Sequence, residues 1–134
     1  MAASSDEILP IRADGDVVMV RQRVRTRAVE QGFSLVDQTK IVTAASELAR
    51  NVLVHGGGGS VRLEVMNNGS RKGLNLTFED RGPGIPDVSL AMRDGFSTRG
   101  GLGLGLSGAK RLSNEFEISS TVGEGTRVTI IRWK

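Results

Sequence analysis

Three clusters of residues carry the chemistry of this chain. Glu47 and Asn51 stand four apart in Ser46-Glu47-Leu48-Ala49-Arg50-Asn51, and on a helix that spacing turns both side chains to one face. An amide oxygen and a carboxylate that converge on one point offer a metal ligand and a base. Asn51 is the candidate ligand and Glu47 the candidate catalytic residue. Asp80 closes an alternating run in which Leu74, Leu76 and Phe78 share one face against Asn75, Thr77 and Glu79, which puts an acid at the end of a strand. Gly82 and Gly84, rigidified by Pro83 and Pro86, allow a turn with no Cβ in the way. A flat ring, such as a purine, can then approach the backbone beside Asp80 and Ile85. The third cluster, Gly100-Gly101-Leu102-Gly103-Leu104-Gly105-Leu106, gathers glycines just ahead of a helical pattern. Free backbone N–H groups near a helix start can meet an anion, so this segment reads as a phosphate lid.

The elements that must hold these clusters follow from periodicity. Glu7 to Ile11 is a short strand, and Pro10 assigns it to a sheet edge. Asp14 caps a first helix in which Val17, Val20, Val24 and Ala28 recur at helical spacing, with Gly32 as its stop. Ser34 or Asp37 starts a second helix with Ile41, Ala45, Leu48 and Val52 on its core stripe and Glu47 and Asn51 beside it; residues 56–59, all glycine, end it. Residues 60–67 and 73–80 both alternate and form a hairpin. A short helix over 87–93 and a longer one over 104–116 follow, and strands over 117–122 and 127–133 flank a Gly-Glu-Gly turn. A mostly antiparallel, mixed sheet with helices covering one face is the economical packing, an α+β two-layer α/β sandwich.

Composition narrows the function. The chain has 134 residues, no cysteine and 18 glycines, and neither an apolar run of about 20 residues nor an apolar leader. That argues for one domain over 7–134 behind a polar tail at 1–6, with no membrane span, secretion signal or disulfide framework, and for a cytoplasmic setting. The net charge of +3 and the arginines at 21, 23, 25 and 27 raise nucleic acid as a partner. Those four fall into two i, i+4 pairs on different parts of a helix, and the chain has no Tyr and one Trp to stack on bases; no nucleic-acid role is expected. Residues 103–108 match GxGxxG in form, but they follow the lid rather than a strand, and Ala109 puts Lys110 out of register for a P-loop. His55 is the single histidine with no cysteine near it, a helix-end cap or lid-side contact rather than a zinc ligand.

These boxes, in this order, resemble the N box, glycine boxes and ATP lid of the GHKL (Bergerat-fold) ATPase and kinase superfamily. Ser46 to Asn51, Glu79 to Asp87, Asp94 to Thr98, Lys110-Arg111-Leu112 and Gly123-Glu124-Gly125-Thr126 before Trp133 are together similar to the small RsbT-type serine protein kinases. The resemblance implies an ATP- and Mg²⁺-dependent protein serine/threonine kinase. In that reading Asp80 accepts from the adenine amino group, Gly84 gives the ring close access and Asn51 holds the metal. The backbone from Gly101 to Gly105 then meets the transferring phosphate, Glu47 orients or deprotonates the incoming hydroxyl, Thr126 lies on the adenine side and Arg99 near the terminal phosphate. It also implies a STAS-domain protein as substrate and a PP2C-type phosphatase as the released kinase's target. Two alternatives keep the same site: an RsbW-like anti-sigma kinase that binds a sigma factor, and a non-catalytic ATP-gated binding module.

Overall fold

A computed structural model describes residues 6–92 and 102–134, apart from the side chains of 102–105. In chain order the elements are β1 (Glu7–Ile11), α1 (Asp14–Glu30), α2 (Leu35–Val54), β2 (Gly59–Asn67), β3 (Lys72–Asp80), α3 (Val88–Ala91), α4 (Leu102–Arg111), β4 (Glu115–Thr121) and β5 (Gly125–Trp133). The five strands form one open sheet in the order β1-β2-β3-β5-β4. All four pairings among the described residues are antiparallel, so the sheet is simpler than the mixed one expected.

Alternation explains the two layers. Register aligns Val61, Phe78, Val128 and Ile118 in one row and Leu63, Leu76, Ile130 and Phe116 in the next. These rows face the helices and join a core that includes Ile41, Ala45, Leu48, Ala49 and Val52 of α2. Each fully buried aliphatic or aromatic side chain stabilises the fold by roughly 1.5–3 kcal/mol relative to exposure, so the α2 stripe is pinned to the sheet. Val17, Val20, Val24 and Ala28 bury the matching face of α1. The opposite face of the sheet carries residues such as Thr77, Glu79, Arg127 and Thr129.

Caps and long-range pairs set the element ends. Ser34 caps α2, its hydroxyl accepting from Asp37 N–H at 3.1 Å. The N-cap of α1 is Ala13 rather than Asp14, because Asp16, one turn in, accepts from Arg12 N–H at 2.8 Å and Ala13 N–H at 3.2 Å. A carboxylate in the first turn satisfies the free N–H groups from inside the helix. The arginines of α1 divide as their spacing implied: Arg23 and Arg27 both pair with Glu7 and tie α1 to β1. The helix expected over 104–116 is instead Leu102–Arg111. Asn114 N–H donates to Ile131 O at 2.9 Å and the Asn114 side chain accepts from Trp133 N–H, so the sheet captures the chain before another turn can form. Arg132 ties β5 to α2 and to the chain just after α4: it pairs with Asp37 at 2.8 Å and donates to Leu112 O at 3.2 Å. The Arg132 guanidinium holds the Asp37 carboxyl below its ordinary range.

Candidate functional site

The second half of α2 and the ends of β3 and β5 enclose a cavity of about 160 Å³ lined by Leu48, Asn51, Val52, His55, Phe78, Asp80, Pro83, Gly84, Ile85, Leu106, Thr126 and Val128. Its walls are mainly apolar, with polar groups at a few fixed points, the character of a small-ligand site. Asn51, Asp80, Gly84, Ile85 and Thr126, distant in sequence and singled out on it, meet here.

Asp80 is held by backbone. Its Oδ1 accepts from Gly82 N–H at 2.9 Å and from Thr126 N–H at 3.3 Å, which fixes the carboxylate while Oδ2 has no protein donor among the described residues. A Cβ at Gly56 would overlap Asp80 Cγ and Oδ2, and one at Gly125 would overlap Asp80 O. Gly82 packs on Gly56, its would-be Cβ 2.7 Å from Gly56 O. The turn beyond Asp80 depends on Gly84, at φ +78°, where a side chain is strained and would also strike Thr121 O. Gly123 N–H donates to Pro83 O at 2.8 Å, so the β4–β5 turn braces the same loop.

Across the cavity, Asn51 and His55 lie one turn apart at the end of α2. His55 is the C-cap of the helix, its N–H donating to Asn51 O at 2.9 Å. Asn51 Nδ2 and His55 Nε2 are both buried with no hydrogen-bond partner among the described residues. An unmet buried polar atom costs about 1–3 kcal/mol, and two of them lining one cavity fit a site whose ligand supplies their partners. A half-turn of the Asn51 amide exchanges its nitrogen and oxygen, so the same place can offer donor or acceptor.

Glu47 stands apart. It is exposed on α2 one turn before Asn51 and is absent from the cavity lining. Leu102, Gly103, Leu104 and Gly105 form the first turn of α4, where N–H groups lack partners within the helix, as an anion-binding segment requires. Arg99 and Gly101 lie outside the described residues. Sequence reasoning missed Gly56 as the neighbour of Asp80, and the apolar walls Leu48, Phe78, Leu106 and Val128. The core periodicity marked Leu48 and Phe78, without showing that they border a cavity.

Residues 36–134 match the family model for the histidine kinase-, DNA gyrase B- and HSP90-like ATPases. The chain belongs to this family. It is 50% identical over 123 residues to the serine/threonine-protein kinase RsbT of Bacillus subtilis, covering 92% of each chain. To the anti-sigma F factor of Anoxybacillus flavithermus it is 33% identical over 106 residues, covering 74% of this chain and 71% of that one. Among solved structures, the RsbU and RsbW domains of a Mycobacterium tuberculosis protein share the fold with a TM-score of 0.67 at 21% identity, over 96% of this chain and 33% of that one. The SiaB–SiaC complex of Pseudomonas aeruginosa gives 0.59 at 11%, over 96% and 89%. With half its residues shared with RsbT over nearly its whole length, this ATPase-family chain falls in the serine/threonine-protein kinase branch, whose nucleotide is ATP. No helix among the described residues is long and apolar enough to cross a membrane.

Proposed function

We propose that this kinase works in the cytoplasm as a partner switch, phosphorylating a STAS-domain antagonist on serine or threonine and, when released, binding and activating a PP2C-type phosphatase. The identity with RsbT over 92% of both chains carries the reading. ATP, when bound, supplies the transferring phosphoryl group, and Mg²⁺ neutralises charge along its phosphates. Asp80 holds the base through its amino group, and the Gly84 turn lets the ring lie against backbone. Asn51, with its amide turned to present the oxygen, would hold the metal. No group of three or more His, Asp or Glu side chains gathers among the described residues, which fits Mg²⁺ that draws most of its ligands from phosphate and water. Backbone N–H groups at the start of α4 would meet the phosphates, and exposed Glu47 would meet the hydroxyl of an incoming protein, orienting it or taking its proton.

The test is incubation of the protein with labelled Mg-ATP and a STAS-domain partner. Label on serine or threonine of the partner is the expected result. A protein that binds ATP and a phosphatase yet never labels such a partner is an ATP-gated binding module instead. The identity to anti-sigma F factors supports a second reading, direct binding of a sigma factor. Co-purification with a sigma factor rather than with a STAS protein or phosphatase would favour it.

A further inference from the structure

We propose that the protein substrate lies lengthwise along the outer stripe of α2, with apolar surface over its valines and threonines and a carboxylate that pairs with Arg50; the proposal rests on the reading above in which Glu47 meets the acceptor hydroxyl. From Val36 to the end of the helix the exposed residues are Val36, Thr39, Thr43, Glu47, Arg50 and Val54. At about 100° per residue all six fall within about 80° around the helix axis. Val36 and Val54, at the two ends, are 62% and 55% exposed, and Leu35 beside Val36 is 71% exposed. The Thr39 hydroxyl donates to Leu35 O at 3.0 Å, which leaves its methyl group outward.

A helix face that meets only water is normally filled with strong, often charged helix formers, because packing does not decide those positions. Val and Thr are weaker helix formers, their χ1 held by the preceding turn. Four of the six exposed positions carry them, and burial under a partner would offset that loss. The charges on the stripe are Glu47 and Arg50, three residues apart. Neither side chain makes a hydrogen bond or ion pair among the described residues, so both are open to a partner.

Position selects the occupant. Asn51 and His55, which follow Arg50 and Val54 directly in the chain, line the nucleotide cavity, so a protein that brings a hydroxyl to Glu47 beside that cavity covers the stripe around it. From Val36 to Val54 the stripe runs about 27 Å at about 1.5 Å per residue, close to the width of a contact patch of about 800 Å² per partner. Glu47 repels a carboxylate of the substrate and Arg50, one turn on, draws it, so the two charges set which way the substrate lies along the helix. The substrate is therefore a protein whose acceptor hydroxyl stands beside an acidic residue and next to an apolar surface.

Steady-state kinetics with a STAS-domain protein that wild type labels in the assay above test this. Val36→Asp lies about 16 Å along the helix from Glu47, and an acid in the first turn suits a helix. It should raise KM for the protein substrate by about tenfold, the cost of one well-placed interface side chain, while kcat and the KM for ATP stay within about twofold. Thr43→Lys, a good helix former, should do the same and serves if Val36→Asp does not fold. Arg50→Gln should raise the same KM and flatten its dependence on salt, because a pair between exposed charges is screened. An unchanged substrate KM in the Val36 and Thr43 variants, or a loss confined to kcat, would overturn the docking stripe while leaving the kinase intact. Loss of phosphatase binding with an unchanged substrate KM would give the stripe to the phosphatase and overturn the proposal as well. A salt dependence that survives Arg50→Gln would remove the paired carboxylate. Wild-type protein that labels no STAS-domain protein would overturn both the proposal and the reading beneath it.

Discussion

Asp80 is wedged among backbone, with Oδ1 held by two N–H groups and Gly56 and Gly125 shaped to its outline. Glu47, one turn before Asn51 on α2, is exposed, and its side chain makes no hydrogen bond or ion pair among the described residues. Both are carboxylates proposed to serve one reaction. On that proposal the fold divides the labour: the carboxylate proposed to read a small rigid ring is fixed in advance by close backbone contacts, whereas the one proposed to meet a protein hydroxyl is left open to the partner. Pre-organisation at the first lowers the cost of binding, and exposure at the second admits a large substrate.

The sharpest way to break that division is Glu47→Gln, which keeps size and hydrogen-bonding reach and removes basicity. Phosphoryl transfer should fall by about 10²- to 10⁴-fold while ATP affinity, read by calorimetry, stays within about twofold. A smaller loss of transfer would assign Glu47 to orienting the hydroxyl. Loss of ATP binding would mean that the two regions are not separate. At the other region, Gly56→Ala should push the Asp80 carboxylate from its place, because the added carbon overlaps it. ATP affinity should drop by about tenfold, the loss of one well-placed hydrogen bond. An unchanged affinity would show that Asp80 is not held as described.

The smallest effect concerns the frame behind the site. Asp37, paired with Arg132, has its carboxyl lowered from an ordinary value of 3.8. A group lowered in the folded state contributes stability that is fully present above its unfolded value and is lost as pH falls through the folded one. Asp37→Asn should therefore cost about 1 kcal/mol at neutral pH and flatten the acid side of the stability curve below about pH 4, as measured by thermal melts. A variant with the same acid slope as wild type would remove Asp37 from the account.

The layers and strands were legible in the sequence because alternation and helical spacing are local. Leu74, Leu76 and Phe78 marked β3, and the start of α2 was narrowed to Ser34 or Asp37, of which Ser34 is the cap. Asn51, Asp80, Gly84, Ile85 and Thr126 were also legible, through the order of the boxes. What could not be read depends on register. Gly56 looked like a helix stop until β3 brought Asp80 against it. The end of α4 was missed for the same reason: Asn114 bonds to Ile131 and Trp133, contacts that no local pattern announces.

The account rests most directly on Asp80 as the reader of adenine, and calorimetric titration of wild type and Asp80→Asn with ATP tests it. The amide sets an NH₂ donor where an acceptor is needed, so the variant should bind ATP at least about tenfold more weakly with a melting temperature close to that of wild type. Equal ATP affinity in the two proteins would contradict the assignment of this cavity to the nucleotide.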